Sequence, residues 1–447
     1  MKLPETAPDL TQVFEHVRPE NFQLIAQNAT PLPNGRYLHW NELRYREPPV
    51  GMSHEMWWAT VSLGRLPLMQ QLPLLDKHGQ PFKFATPSPV LIDLHHIDRD
   101  AAGQIHTPAG APIQEDPNRY LLSSLIEEAI TSSQLEGAAT TRNVAAAMLR
   151  EGRKPRDHGE KMIFNNYSAM EHLRSIKHEP LTTELILELH RKLTEGTLDD
   201  PADAGRFRQT DDVQVVDRRD QIILHQPPVH TELPERLERL CAFANADESS
   251  LPFVHPVLRA ILLHFMIGYD HPFADGNGRT ARALYYWSMA RSGYWLMEYT
   301  SISHILRRAP AKYMRAYLYT ETDQNDTTYF LLHQLSTIRR AIDALHEYLA
   351  RKTNEQKETE RLLSSSPKLR TRFNHRQVAL ITHALKNQGE GYRVDAHQRS
   401  HNVVYQTARN DLLDLEALGL MERQKQGNAY VFFAPTDLRG RLEMLSK

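Results

Sequence analysis

The sequence predicts a mainly α-helical protein: a helical core interrupted by one β-hairpin, an N-terminal α/β extension before it, and a C-terminal winged helix-turn-helix after it. Three observations predict this. From Asn118 onward, stretches such as YLLSSLIEEAITSSQLEG, NVAAAMLREG, LTTELILELHRKLTEG, ELPERLERLCAFAN and HPVLRAILLHFMIGYD carry apolar residues at helical spacing with few breakers. Within that run, FRQTDDVQVVDRRDQIILHQPP holds two short β-branched runs, Val213 to Val216 and Ile222 to Leu224, around an Asp-Arg-Arg-Asp turn. The tail repeats a smaller scheme of three helical patterns followed by two short strands.

Residues 1–115 form the N-terminal extension, rich in Pro and short apolar runs, with PFKFATPSPVLIDLHHIDRD read as a couple of strands joined by turns. Residues 116–330 form the helical domain. A long helix from Thr328 to about Lys352 leads into the polar stretch KTNEQKETERLLSSSPK, read as a linker, so that 331–371 connects the domain to the tail. In the tail, 372–447, FNHRQVALITHALKN is one helix, Tyr392 to Ser400 a short second, and NVVYQTARNDLLDLEALG a third closed by Gly419. Two strands around Gln426-Gly427-Asn428 then make the wing. In this layout Tyr405, Gln406, Thr407 and Arg409 lie near the start of a recognition helix, and duplex DNA through 403–410 is the expected partner; the same small fold also serves protein contact without DNA.

Composition narrows the function classes. The chain has 447 residues with 53 Lys plus Arg against 55 Asp plus Glu, a net charge of −2. The charge is uneven: Arg361 to Lys447 carries 14 basic against 8 acidic residues, which leaves 39 against 47 in the rest. A basic tail on an acidic body suits an acidic or nucleic-acid partner. The single Cys241 excludes a disulfide framework, a Cys-based zinc finger and an iron–sulfur site. The first residues, MKLPETAPDL, lack the apolar core of a signal peptide, and no apolar run approaches the ~18 residues of a membrane span, so a cytoplasmic protein without membrane contact is expected. Asp93, His95, His96, Asp98 and His106 have the residue types of a metal cluster, but their spacing fits no template and they read as a polar loop.

The densest polar segment is HPFADGNGRTAR, residues 271–282, between two apolar helices. Gly276 and Gly278 permit positive φ and close backbone approach. The amides of a Gly-Asn-Gly turn feeding a helix N-terminus make an anion cradle. Arg279 and Arg282, three apart, share a helix face and can grip phosphate oxygens as planar forks. Asp275 offers a hard oxygen to Mg²⁺. His271 has the pKa range of a general base, and Phe273 anchors the loop from inside. Together these residues can hold a nucleotide's phosphates beside a base that deprotonates an incoming hydroxyl.

That segment matches H-x-F-x-[DE]-G-N-G-R-x-x-R at every defined position, and the chain resembles the Fic family on it. The resemblance implies a Fic helical core that transfers AMP from ATP to a Ser, Thr or Tyr hydroxyl of a protein. It assigns His271 as base, Asp275 as Mg²⁺ ligand, and Ala274, Gly276, Asn277, Gly278, Arg279 and Arg282 as nucleotide contacts. The hairpin of residues 213–224 falls where Fic proteins carry a flap that clamps the target by strand addition, with Val215 and Val216 on its first strand. Gly205-Arg206-Phe207-Arg208 resembles the usual approach to that flap. Upstream, Ser132-Ser133-Gln134-Leu135-Glu136-Gly137 matches the inhibitory motif [ST]-x-x-x-E-[GN], which implies an inhibitory helix near 120–137. Ser132 and Glu136 share a helix face, and Glu136 would pair with Arg282 and deny it to the γ-phosphate. In some relatives this glutamate also helps remove AMP, which adds a reverse reaction. YLHWNELRYREPP and HEMWWA resemble segments that precede the domain in bacterial members. Relatives place an adenine-site Tyr some forty residues after the motif His; Tyr313 is the candidate, with Tyr317 and Asn325 behind it, although tyrosines at helical spacing also serve as core. A homodimer is the expected assembly. The alternatives are a DNA-binding regulator that uses the core as a nucleotide sensor, and transfer of UMP or phosphocholine instead of AMP.

Overall fold

The computed structural model describes residues 2–15, 17–102, 117–217, 220–364, 372–387, 389–426 and 429–445. The N-terminal extension opens with α1 (Leu10–Glu15), α2 (Phe22–Asn28), α3 (Trp40–Leu43) and α4 (His54–Arg65). These helices pack Ile25, Leu38, Trp40, Leu43, Trp57 and Trp58 into a small core of their own. The extension is joined to the rest through Arg65. Its guanidinium is buried, donates to the Leu38 carbonyl (2.7 Å) and to the Tyr329 hydroxyl (2.8 Å), and lies 3.8 Å from the Tyr37 ring.

A hairpin follows, β1 (Met69–Leu75) antiparallel to β2 (Pro81–Ala85), and then α5 (Ser88–Ala101). Only the first part of PFKFATPSPVLIDLHHIDRD is therefore a strand. Pro89 sits in the first helical turn, where its missing N–H costs nothing, and Val90, Leu94, Ile97 and Ala101 recur at the helical period on the buried face. Asp93 of this helix pairs with Arg339 (2.7 Å) and Asp98 with Tyr294 (2.6 Å) and His255 (3.2 Å). Among the described residues no group of three or more metal-ligating side chains gathers; His106 lies outside them.

The helical domain comprises α6 (Pro117–Leu135), α7 (Arg142–Glu151), α8 (His158–Ser175), α9 (Thr183–Thr194), the hairpin β3 (Val215–Asp217) and β4 (Ile222–His225), then α10 (Leu233–Asn245), α11 (Pro256–Asp270), α12 (Asn277–Arg291), α13 (Ile302–Arg308), α14 (Pro310–Thr322) and α15 (Thr328–Ser364). The segment from Val257 to Ile267 is apolar apart from Arg259 and His264, both buried, so α11 is the central helix, and α10, α12 and α15 pack directly against it. The domain's first strand starts two residues later than its β-branched run suggests. Thr210 and Asp211 are taken instead by Arg208, which donates to the Thr210 carbonyl (2.8 Å) and to Asp211 Oδ1 (2.8 Å).

Helix α15 runs 37 residues, about 55 Å at 1.5 Å per residue, and passes through most of the stretch expected to be a linker. That stretch is polar, but its Glu, Gln, Lys, Arg and Leu are good helix formers and Ser364 precedes its first proline. After it come α16 (His375–Lys386), α17 (Val394–His401), α18 (Tyr405–Ala417) and α19 (Leu438–Leu445), with strands β5 (Gly391–Tyr392), β6 (Glu422–Gln426) and β7 (Ala429–Phe433). The strands form one antiparallel sheet in the order β5-β7-β6 around a separate core of Ile381, Ala408, Leu412, Leu415 and Leu420. The turn residues Gly427 and Asn428 lie outside the described residues. Among the described residues no helix is long and apolar enough to cross a membrane.

Replacing Arg65 by Ala leaves Tyr37, Tyr329 and the Leu38 carbonyl around an emptied buried site. The expected cost is about 3 kcal/mol in denaturant unfolding followed by tryptophan fluorescence, since Trp57 and Trp58 report this unit.

Candidate active site

The segment from His271 to Gly276 joins the two central helices α11 and α12, and its shape is imposed by side chains beneath it. His271 caps α11 in the left-handed region, with φ 44°. Phe273 is fully buried and stacks on His190 of α9 with ring centroids 3.7 Å apart. Asn277 brackets Phe273: its Nδ2 donates to the Phe273 carbonyl (2.8 Å) and its Oδ1 accepts the Phe273 amide (3.0 Å). His190 accepts the Gly205 amide at Nδ1 (3.0 Å), so its Nε2 carries the proton donated to the Asp275 carbonyl (2.9 Å). Burial lowers the His190 pKa to about 4, which keeps that tautomer neutral. Gly276 adopts φ 84°, and a Cβ there would stand 2.7 Å from Thr194 and 3.2 Å from His190.

The base position is built by the backbone. His271 Nδ1 lies 2.7 Å from the Gly268 carbonyl, which can only accept, so Nδ1 holds the proton and Nε2 presents its lone pair. Burial lowers the His271 pKa to about 4, against the opposing effect of the Gly268 carbonyl. The imidazole is therefore neutral at pH 7. Its carbonyl accepts from Arg208 Nε (2.9 Å), the Arg208 amide donates to the Pro272 carbonyl (2.9 Å), and another Arg208 nitrogen reaches the Pro228 carbonyl. One buried arginine thus ties both ends of the hairpin insertion to the loop.

The hairpin pairs Val215 with His225 and Val216 with Ile223, with an irregularity between the two valines. Val215 and Val216 are half-buried. His225 fixes the hairpin root: its Nε2 is 2.7 Å from the Tyr269 carbonyl and its Nδ1 2.8 Å from Glu321. The strand pair is therefore fastened two residues from His271.

Around the helix α12 N-terminus, Ala274 and Asp275 are exposed, the Asp275 side chain by 62%. The first amides of the helix have no intrahelical acceptor and face the same opening. The two arginines divide. Arg279 is turned inward with no exposed side-chain surface, and donates to the Leu193 carbonyl (3.1 Å) and to Asp275 Oδ2 (3.1 Å). Burial lowers its pKa. It does not share an open face with Arg282 as a three-residue spacing suggests; it positions Asp275 and the C-terminus of α9.

Arg282 faces α6. The two helices meet in an antiparallel ladder, with residues 128, 132 and 136 of one opposite 286, 282 and 278 of the other. The Tyr286 hydroxyl donates to Glu128 (3.0 Å). Arg282 Nε donates to the Ser132 hydroxyl (2.9 Å) and Nη2 to Glu136 Oε1 (2.7 Å) and to the Ser132 carbonyl (3.1 Å). Gly278 makes room for the last rung, because a Cβ there would overlap Glu136 Oε1. Burial opposes the charge on Arg282, and Glu136 more than offsets it, so its pKa stands above the ordinary value.

Tyr313 lies half-buried on α14, its hydroxyl 2.7 Å from His264 Nε2 and its ring among His264, Tyr317, Phe330 and His333. Tyr317 donates to the His264 carbonyl (3.3 Å). Asn325 is drawn elsewhere, to Asp76 in the turn between β1 and β2 (2.8 Å). The structure thus brings His271, Asp275, Asn277, Gly278, Arg282, Ser132 and Glu136 together and sets Tyr313 behind Arg282. Sequence reasoning passed over His190 and Glu128, and named Arg208 only within the approach to the hairpin. A signal for His190 was available, since it shares the buried helical stripe of Ile186, Leu189 and Leu193.

Residues 180–289 match the model of the Fic/DOC family. That segment is a Fic domain. Curated relatives include Protein adenylyltransferase Fic of Culex quinquefasciatus, 28% identical over 201 residues, and Protein adenylyltransferase Fic of Drosophila melanogaster, 30% identical over 200 residues. Each match covers 44% of this chain and 37% of the relative, so the similarity spans well under half of their length. A solved Fic family protein from Desulfovibrio desulfuricans G20 aligns with a TM-score of 0.49 at 19% identity, over 78% of this chain and 97% of that one. Helix α6, which leads to Glu136, lies N-terminal to the matched segment.

Gly276→Ala places a side chain at φ 84° and against Thr194. It is expected to lower stability by about 2 kcal/mol in chemical denaturation, from the strained backbone alone and before any steric cost.

Proposed function

We propose that the protein transfers AMP from Mg·ATP to a Ser, Thr or Tyr hydroxyl of a protein, itself included, and that Glu136 restrains the reaction. The observation that carries this reading is the arrangement at the ends of α11 and α12: an imidazole with its free nitrogen fixed by the Gly268 carbonyl stands beside a helix N-terminus and a guanidinium occupied by a glutamate of the same chain. The Fic domain match and relatives named adenylyltransferases support it.

In this mechanism the flap, 213–224, aligns the target segment beside His271. Nε2 takes the proton as the hydroxyl oxygen attacks the α-phosphorus. The new P–O bond forms as the bond to the bridging oxygen breaks, and pyrophosphate leaves with that electron pair. The first amides of α12 and Arg282 hold the phosphate charge. Asp275 suits Mg²⁺, because one exposed carboxylate oxygen together with phosphate oxygens is a common way of binding this ion. Bound there, the ion would neutralise phosphate charge. In the inhibited form Glu136 holds Arg282 through a charge-assisted bond that a γ-phosphate must displace. Removal of AMP by the same site, with Glu136 acting on water, belongs to this reading as its reverse branch.

Incubation with α-labelled ATP tests it. Glu136→Gly is expected to raise incorporation into itself or a lysate protein at least about tenfold, and His271→Ala on that background to lower it at least about a hundredfold. No label with Glu136→Gly would remove the transferase reading, and label that persists without His271 would remove its mechanism. UTP and GTP in parallel decide the base.

The pH profile gives a second test. Protonation of His271 is disfavoured down to about pH 4, so the rate of Glu136→Gly should stay level from pH 8 to about 5 and fall below that. A fall centred near 6.5 would assign the base to an ordinary exposed histidine.

A second reading concerns the tail. Val404 and Tyr405 at the start of α18 are 69% and 53% exposed, and Gln406 and Arg409 are exposed beside them. On a basic segment this face supports duplex DNA binding through 403–410. Fluorescence anisotropy with duplex DNA should then give affinity that falls steeply with salt and weakens about tenfold in Arg409→Ala.

A further inference from the structure

We propose that Glu128 is a second latch of the inhibitory helix. It holds α6 in register, and that register seats Glu136 on Arg282. The inference rests on the reading of Glu136 as an inhibitor and extends it to a residue outside the inhibitory motif.

Glu128 and Glu136 differ in how they are held. Glu136 follows the last helical residue, Leu135. Its amide donates to the Ser133 carbonyl (3.1 Å), its side chain is 27% exposed, and Gly137 turns away at φ 102°. A helix end of this kind frays, and a partly exposed ion pair holds it weakly. Glu128 is 2% exposed and receives four donors. They are the Ser303 hydroxyl (2.5 Å), the Ser303 amide (3.2 Å), the Ser301 hydroxyl (2.8 Å) and the Tyr286 hydroxyl (3.0 Å). Burial raises its pKa, while Ser303, Arg282 and Ser301 favour the charged form. A buried carboxylate is a poor way to gain stability compared with a well-packed apolar side chain, but it is directional: it accepts these donors in one geometry only.

That geometry sets the position of Glu136. Residue 128 lies about 12 Å before residue 136 along a helix and about 80° around it, with Ser132 midway between them. A slip of one residue would turn the face by about 100° and take Glu128, Ser132 and Glu136 off their partners together. Two more residues of the same stretch, Thr131 and Glu127, add contacts of their own. Thr131 lies 3.1 Å from the Ser301 hydroxyl, and Glu127 accepts from His304 Nδ1 (3.0 Å) and Arg142 Nε (2.7 Å). Ser301 also caps α13, with the His304 amide donating to it (3.1 Å). Helix α13 runs on through Ala309 into α14, which carries Tyr313 behind Arg282. Residues 301–304 are therefore where a displacement of α13 or α14 can reach Glu136 without entering the phosphate site.

The test uses the full chain with Glu128→Ala, Glu128→Gln and Ser303→Ala, each alone and with Glu136→Gly. Three quantities are read: hydrogen exchange of residues 123–137, ATP affinity by calorimetry, and incorporation from α-labelled ATP. Glu128→Ala should speed exchange of 123–137 and tighten ATP binding, each about tenfold. It should raise incorporation about tenfold, short of Glu136→Gly, with Ser303→Ala and Glu128→Gln between it and wild type. Added to Glu136→Gly it should change incorporation little, because both act through the same glutamate. Wild-type exchange and ATP affinity in a folded Glu128→Ala protein would overturn the latch. So would loss of incorporation in the double variant, which would make Glu128 a support of the pocket itself. If Glu128→Ala does not fold, the milder Ser303→Ala and Glu128→Gln decide by the same readings. If Glu136→Gly incorporates no label, AMP transfer fails as the activity, while exchange and ATP affinity still judge the latch.

Discussion

Arg282 is the charge around which the site is organised. It is 2% exposed, so it needs an anion, and two can serve: the carboxylate of Glu136 or a phosphate oxygen. The chain supplies the first from the end of α6, the first helix of the domain. Gly278 leaves the space for it, since any larger residue would meet the carboxylate. Competition between an internal and an external anion for one buried guanidinium needs no large movement. It needs only that the end of α6 be able to leave, and a helix end followed by a positive-φ glycine has that freedom.

The loop beside Arg282 is rigid for the opposite reason. Its residues are held from below by groups that do not face the opening: His190 through the Asp275 carbonyl and the Phe273 ring, Asn277 around Phe273, Arg279 through Asp275, and Arg208 through the His271 carbonyl. Each holds the loop through buried polar contacts, so the backbone has one arrangement. The same contacts tie α9, the start of the hairpin and α12 into a single unit. His271 gains a fixed tautomer at no cost in side-chain bonds, because the helix end itself supplies the acceptor at Gly268. A rigid loop and a partly exposed carboxylate thus sit side by side, and the difference between them is burial of their supports.

Several elements were legible from residues alone. Helices α6, α7, α9 and α10 carry apolar residues at helical spacing, and the hairpin stands out by its β-branched runs. The motif at 271–282 is dense enough that each residue type points to its task. Failures came where sequence patterns report polarity rather than conformation. Residues 352–364 look like a linker because they are polar, yet they are helical because their side chains favour helix and nothing breaks it. Residues 88–101 look like strand and turn because two prolines precede them, yet Pro89 opens a helix. Arg279 reads as a phosphate fork only while its direction is unknown; its guanidinium is turned to Leu193 and Asp275.

The sequence by itself determined the chemistry available at the site: an imidazole, a glycine-rich helix start, a carboxylate and an arginine within twelve residues, with a Ser and a Glu four apart upstream. Those are properties of residue type and local spacing, which survive without long-range contacts. Only the tertiary structure decided that Arg279 faces inward, and that Glu128, Ser132 and Glu136 lie against residues 286, 282 and 278. These depend on the direction in which two helices about 150 residues apart cross, and on what each side chain finds buried opposite it. Periodicity gives a helix its faces; packing alone gives those faces their partners.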